Sequence, residues 1–352
     1  MDINLGKKLI DQKKYKEALS FFLNEIDKGN KSIKLYFLLG IVYFKLNKIN
    51  DSINYYKLAL KINPDAIDII LNLANACYVI GKFFDAKNFY LEAIKVNKYD
   101  PRSYYGLYLL DQNNLTQENI SLLKELKKKN ISLNKSYLVE YLLSKIEKKN
   151  KQYEKELNHL NNFHNQCFKL RSDFNLQGLF YYNKIISRHY HRIKFKNQKI
   201  QHSALNEIRP IFIIGLPRSG STLIESSISN SSEKIVSLGE TSIINVAILD
   251  QLKNFVFEKN LEIENFNVEL NVEQLRNNVL NVYKNYFATN SKNLIFLDKS
   301  LENFFNIEVI LKIFPRAKFI HSKRNYKDAA IAIYQSMLPE LPWAHSISNI
   351  LA

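Results

Sequence analysis

Two cysteines, Cys77 and Cys167, are all that this 352-residue chain holds. So distant a pair makes neither a disulfide framework nor a metal cage. The seven histidines show no zinc-type spacing. His189 and His191 form a lone His-x-His pair, read as surface or partly packed side chains. Long apolar runs are also missing, so nothing here has the length of a bilayer span. The start, Met1-Asp2-Ile3-Asn4-Leu5-Gly6-Lys7-Lys8, lacks the apolar stretch of a secretory signal. These absences lead to an expected cytoplasmic location, with no membrane span and no metal.

A hydrophobic fraction of 46% is enough for real cores, and 24% charged residues is ordinary for a soluble protein. The length accommodates two domains. The net charge of +16 fits nucleic acid, an acidic surface or an anionic substrate, and equally a solvated lysine-rich surface. No nucleic-acid motif accompanies it, so no nucleic-acid partner is expected. The blocks Lys127-Lys128-Lys129 and Lys148-Lys149-Asn150-Lys151 read as helix ends, where lysines complement the helix dipole.

A shift of 34 residues aligns Gly6, Gly40 and Ala74, then Ala18, Ser52 and Ala86, then Phe22, Tyr56 and Tyr90. Ala59 aligns with Ala93. Small residues recur where two helices of a hairpin approach, and aromatics recur where one hairpin meets the next. Tyr36, Leu39, Gly40, Tyr43, Ala59 and Pro64 stand at matching places of the tetratricopeptide pattern, which residues 1–100 resemble. Lys98 replaces the terminal proline of the third repeat. Residues 101–200 keep helical patterning, as at 120–126 and 137–143, and read as degenerate repeats and a connecting helix. Such a stack either presents a surface to a protein or peptide partner or props up the rest of the chain.

The pattern changes near Pro210. Ile211-Phe212-Ile213-Ile214 suits a buried parallel strand. Gly215-Leu216-Pro217-Arg218-Ser219-Gly220-Ser221-Thr222 follows, and Leu223, Ile224 and Ile228 continue with helical spacing. A strand, a tight loop and a helix start aim several N–H groups at one point, where a phosphate fits. Gly215 and Gly220 allow close approach, Ser221 and Thr222 add hydroxyls, and Arg218 adds a full charge. Ser221 stands where a P-loop nucleotidase needs lysine, which disfavours ATP or GTP hydrolysis. No Gly-x-Ser-x-Gly elbow is present.

The run Phe212 to Glu225 resembles the 5′-phosphosulfate loop of sulfotransferases, and is most similar to those of bacterial tetratricopeptide-repeat sulfotransferases and tyrosylprotein sulfotransferases. The resemblance spans residues 205–352. It implies donor binding by Gly215, Pro217, Arg218, Ser219, Gly220, Ser221 and Thr222. In Ser237-Leu238-Gly239-Glu240-Thr241 it implies that Glu240 is the catalytic base; Glu240 and Thr241 otherwise begin a helix. Leu294–Leu297 reads as a second strand, ending in Asp298-Lys299-Ser300-Leu301-Glu302-Asn303. This is similar to the family's Asp-Lys-x-Pro-x-Asn, with Leu301 for proline. Lys299 and Arg218 then offset charge on the leaving phosphate, or Lys299 forms a structural ion pair with Asp298. After the strand Lys318–Ser322, Arg324 takes the place of the arginine that grips the 3′-phosphate. Ala332 stands where the family has a serine, and Asn325 and Tyr326 replace Asp and Pro.

The expected architecture is therefore an all-α tetratricopeptide-repeat solenoid over 1–200, then an α/β P-loop-like parallel-sheet sulfotransferase domain over 205–352 with strands at 211–215, 294–297 and 318–322. Helices are expected at Val272–Phe287 and Phe304–Phe314. The pattern stops mid-helix at Ala352, so a truncated domain is expected. The implied activity is metal-free sulfonyl transfer from 3′-phosphoadenosine 5′-phosphosulfate to a hydroxyl or amine. The alternatives are a variant P-loop kinase or nucleotide hydrolase, with Asp298 on Mg²⁺, and a repeat scaffold with a decayed transferase domain.

Overall fold

The computed structural model describes residues 3–12, 14–129, 131–186, 194–195, 209–256, 269–284 and 295–351. His189 and His191 lie outside these residues. The chain forms two compact units, Met1–Gln166 and Cys167–Ala352.

The first unit is a run of helical hairpins. The helices pair as Ile3–Asp11 with Tyr15–Asp27, Ile33–Lys45 with Ile49–Ile62, and Ile67–Val79 with Phe83–Val96. Pro101–Leu110 and Gln117–Lys128 follow, and then Leu133–Lys149. The hairpin turns repeat with the sequence period. Asn47 and Gly81 both take positive φ, at 59° and 77°. The following residues, Lys48 and Lys82, each donate a backbone hydrogen bond of 2.9 Å, to Tyr43 and Cys77. Lysines 127 and 128 fall in one last helical turn, and Lys148 and Lys149 in another, at the negative ends of the helix dipoles.

The recurring small residues have a steric reason. A Cβ on Gly40 would lie 2.3 Å from the Tyr56 ring, and one on Gly6 would lie 2.2 Å from the Phe22 ring. In the next repeat Ala74 stands at the Gly40 position, and the Tyr90 ring lies against Gly106 of the following helix. Ser52 ties the second hairpin together by donating to the Gly40 carbonyl at 2.7 Å.

The second unit is an α/β structure. Its sheet is wholly parallel, with Ile235–Gly239 (β3), Ile295–Asp298 (β5), Arg209–Gly215 (β2) and Lys318–Ser322 (β6) side by side in that order. Two-residue strands β1, Lys194–Phe195, and β4, Glu269–Leu270, pair separately. The strands expected from sequence at 211–215, 294–297 and 318–322 correspond to β2, β5 and β6. Strand β3 was not expected. Its residues are half-buried and few, so it carries little apolar signal.

The core is aromatic across the sheet. Phe212 meets Phe296 edge-on at 6.5 Å and stacks on Phe319 at 5.6 Å. Helices Ile243–Val256, Val272–Lys284 and Ile307–Ile313 cover this layer with Ile244, Ile248, Leu275, Val279, Ile310 and Ile313. The expected helix from Phe304 is a 3-10 turn over Leu301–Asn306 before Ile307 begins regular helix. Tyr181 and Ile185 also enter this core. Residues 172–186 therefore pack with the α/β unit, whereas the sequence-derived boundary assigns them to the helical region. Both cysteines are free and buried, and burial pushes the Cys167 thiol up to about 12. Among the described residues, no helix is long and apolar enough to cross a membrane.

Candidate active site

Each strand of the main sheet delivers one group from its C-terminal end. Strand β2 runs into the loop 215–222, β3 into Glu240, β5 into Lys299 and β6 into Arg324. The chain leaves β2 toward β3 on one side and returns to β6 on the other. This switch in direction opens a crevice at the strand ends, the usual ligand position in open α/β sheets.

The loop after β2 is shaped by its backbone. Gly215 has φ 135°, Arg218 φ 65° and Gly220 φ 94°. Gly220 is the N-cap of the helix Ser221–Ser229 and no side chain caps it. The Ser221 and Thr222 N–H groups thus point forward without intrahelical partners, at the positive end of the helix dipole, while those of Leu223 and Ile224 donate to the Gly220 carbonyl. That arrangement suits an oxyanion such as phosphate or sulfate. The Ser219 hydroxyl donates to the Leu216 carbonyl at 2.6 Å and stands 2.9 Å from the Ser322 hydroxyl. Ser322 in turn donates to the Ser219 carbonyl at 3.0 Å. Arg324 Nη1 donates to the Arg218 carbonyl at 3.2 Å. The end of β6 thereby braces the loop while both guanidinium groups remain exposed.

Lys299 lies under the loop. Its Nζ is 2.6 Å from Glu240 Oε1, 3.4 Å from Thr222 Oγ1 and 3.6 Å from Glu225 Oε2. Its backbone N–H donates to the Gly239 carbonyl at 3.0 Å, joining β3 to β5. Asp298 faces the other way, fully buried. Its Oδ2 accepts from Tyr283 at 2.8 Å and Thr241 at 3.3 Å, and its Oδ1 accepts from the Ser300 N–H at 2.8 Å and Asn303 at 3.4 Å. Burial raises the pKa of this carboxyl against the opposing hydrogen bonds from Ser300, Tyr283 and Thr241. Lys299 pairs with Glu240 and Glu225, not with Asp298. Because protein donors occupy both Asp298 oxygens, that carboxylate is a strut rather than a free Mg²⁺ ligand. Among the described residues, no cluster of three His, Cys, Asp or Glu side chains is placed to hold a metal ion.

The residues singled out from sequence therefore meet at one edge. Gly215, Pro217, Arg218, Ser219, Gly220, Ser221 and Thr222 form the loop and helix start, and Glu240, Lys299 and Arg324 border it. Sequence reasoning gave no role to Glu225 or Ser322. The spacing of Glu225, three residues past Thr222, puts both on one helix face and was an available signal. Ser322 depends on the Gly215↔Ser322 register, which no local pattern announces. Half-buried Glu302 was also missed. Its pKa is raised by burial and then by the charges of Asp298 and Glu240, against a hydrogen bond with Ser242.

Residues 210–350 match the model of a sulfotransferase family, and residues 33–66 match that of the tetratricopeptide repeat. The chain thus carries a tetratricopeptide region followed by a domain of the sulfotransferase family. An uncharacterised protein of Aquifex aeolicus (strain VF5) is 34% identical over 130 residues, which is 36% of this chain and 17% of that protein. The human protein O-mannosyl-transferase TMTC2 is 29% identical over 97 residues, 27% of this chain and 12% of that protein. The chain therefore matches less than a fifth of the length of either relative. Among solved structures, YrrB, described as a tetratricopeptide protein with an unusual peptide-binding site, aligns at TM-score 0.35 and 16% identity. The alignment covers 49% of this chain and 85% of that one. A MamA crystal structure aligns at TM-score 0.38 and 14% identity, over 47% of this chain and 96% of that one.

Proposed function

We propose that the protein transfers a sulfonyl group from 3′-phosphoadenosine 5′-phosphosulfate to a hydroxyl or amine acceptor. The observation that carries the reading is the Thr222–Lys299–Glu240 constellation at the N-terminus of an uncapped helix. A carboxylate, a buried ammonium and forward-pointing N–H groups suit displacement at sulfur by a hydroxyl or amine with a phosphate oxygen leaving. When bound, the donor supplies an activated sulfur whose bond to the bridging phosphate oxygen breaks as the acceptor oxygen or nitrogen bonds to sulfur.

In this reading the loop from Gly215 to Thr222, including Pro217, Ser219, Gly220 and Ser221, receives the 5′-phosphosulfate. Glu240 takes the acceptor proton, and its exposed carboxylate is reachable for that step. Lys299 and Arg218 offset charge developing on the leaving phosphate. Arg324 grips the 3′-phosphate, and its hydrogen bond to the Arg218 carbonyl couples the two phosphate subsites. Fixed cations take the part that Mg²⁺ plays in nucleotide hydrolases. The repeats recruit a protein or peptide, in keeping with the general behaviour of such stacks.

The test is calorimetric titration with adenosine 3′,5′-bisphosphate against ATP plus Mg²⁺, on the wild type and on Arg218→Ala. Preference for the bisphosphate, lost in the variant, is expected. Preference for ATP plus Mg²⁺ would replace the reading with a nucleotide hydrolase. Silence toward both, with the repeats still binding partners, would make the protein a scaffold.

A further inference from the structure

Lys299 is the most confined cation at the site. Two carboxylates share its ammonium, and they are not alike. The side chain of Glu240 is 63% exposed and approaches to 2.6 Å, whereas that of Glu225 is 13% exposed and stands at 3.6 Å. Glu225 is also held from behind, because the Ser237 hydroxyl donates to its Oε1 at 2.5 Å. It is carried on the regular helix Ser221–Ser229, and its partner Ser237 is carried on β3. One carboxylate is thus built into the framework while the other faces solvent.

This asymmetry matters for the proposed reaction, on which the inference rests. A buried ammonium needs a counter-charge, and removing one partner of a buried pair is costly. Glu240 cannot be that partner throughout. As base it must turn its carboxylate to the acceptor and then become neutral on taking the proton. We infer that Glu225 is a positioning residue that holds Lys299 in place through the reaction and so releases Glu240 to act as base. Glu225 touches neither the acceptor nor the sulfur; it acts through Lys299. Its charge lies close to the loop that receives the phosphosulfate, so it also weakens donor binding by repulsion.

That dual effect separates a positioning role from a merely structural one. Glu225→Gln keeps the side-chain size and an oxygen for Ser237, but removes the charge. The measurements are calorimetric affinity for adenosine 3′,5′-bisphosphate and the rate of sulfonyl transfer to tyramine, which offers both a hydroxyl and an amine. The variant should bind the bisphosphate about 3- to 10-fold more tightly while kcat falls by about 10-fold or more, as expected when a close charge partner is lost. Glu225→Asp keeps the charge and should recover most of kcat. A structural role would weaken affinity and rate together. That result, or an unchanged kcat, overturns the inference.

Should Glu225→Gln fail to fold, Ser237→Ala replaces it. This change leaves the charge but loosens Glu225, and kcat should fall about 3-fold with bisphosphate affinity unchanged; an unchanged kcat again overturns the inference. Wild-type behaviour distinguishes the two levels of failure. A wild type that binds no bisphosphate or moves no sulfonyl group sinks the transferase reading, and this inference with it. A wild type that does both, beside a Glu225→Gln that behaves identically, sinks only the role of Glu225.

Discussion

Gly215, the last residue of β2, lies so near Ser322 at the end of β6 that a Cβ built on it would sit 2.4 Å from the Ser322 carbonyl oxygen. Its φ of 135° is one that side chains rarely adopt. The same two strand ends are laced by the Ser219 and Ser322 hydroxyls. The loop that opens the site is therefore locked to β6 by a contact only glycine permits. Gly215→Ala should cost about 2–3 kcal/mol of stability through strain and overpacking. Bisphosphate affinity should fall with it, because the loop is displaced. Denaturant unfolding beside calorimetry checks both; an unchanged midpoint would remove the locking argument.

Arg324 is exposed and donates to the Arg218 carbonyl at 3.2 Å, which leaves the rest of its fork free for a phosphate. In the transferase reading, Arg324→Ala should lower affinity for adenosine 3′,5′-bisphosphate by about 10- to 100-fold, the range of a lost charge-assisted pair. Affinity for adenosine 5′-monophosphate, which lacks the 3′-phosphate, should change by less than about 3-fold. Equal losses for both ligands would mean that Arg324 only braces the loop.

Asp298 holds the turn that presents Lys299. Asp298→Ala would remove a buried acceptor from the Tyr283 hydroxyl and the Ser300 N–H, at about 1–3 kcal/mol for a group left unsatisfied. We expect a total loss of about 2–4 kcal/mol by denaturant unfolding, together with weakened bisphosphate binding. A variant with wild-type stability would show that the turn does not depend on this carboxylate.

The parts legible in the sequence are those with a local physical signature. The 34-residue period exposed the hairpins because the contacts of Gly40 with Tyr56 and of Gly6 with Phe22 recur with it. The loop 215–222 is legible because glycine, arginine and hydroxyl residues follow the wholly apolar run Ile211–Ile214. Strand β3 is not, because a short half-buried strand at the sheet edge has neither clean alternation nor a continuous apolar run. The sequence leaves the role of Lys299 open between an ion pair with Asp298 and catalysis. Adjacent residues at a strand end point to opposite sides, and only the sheet order decides which side holds Glu240 and Glu225. The placement of residues 172–186 depends on Tyr181 and Ile185 meeting a core built from residues far along the chain.

Within the repeats, Gly40→Ala sets two effects against each other. Alanine gains about 1 kcal/mol in helix propensity. Its methyl would also lie 2.3 Å from the ring of Tyr56, which is fully buried. Overpacking of that kind costs about 1–3 kcal/mol. The steric cost should win, so the variant should unfold at lower denaturant than wild type. Gly29→Ala also replaces a glycine but meets no neighbour, and has φ 86°. It should lose only the backbone strain, at most about 1–2 kcal/mol, and its comparison with Gly40→Ala isolates the ring contact.

Asp100 makes acid stability of the repeat unit a measurable quantity. Its carboxylate is buried and accepts from Arg102 Nε at 2.9 Å, Arg102 Nη2 at 2.7 Å and Lys135 Nζ at 2.9 Å. Burial alone would raise its pKa, but the hydrogen bonds from Arg102 and Lys135 outweigh it and bring the value down to about 2, from 3.8. A carboxylate with a depressed folded-state pKa stabilises the fold above its unfolded value and loses that contribution as pH falls through the folded one. The contribution is about 2 kcal/mol at neutral pH. About half of it should be gone by pH 3, and nearly all below pH 2. Asp100→Asn lacks the titration, so the stability gap between wild type and variant should be widest near pH 7 and should close on the acid side. Denaturant unfolding across pH 3 to 7 reads this directly. A gap independent of pH would mean that Asp100 contributes through shape and hydrogen bonding rather than through its charge.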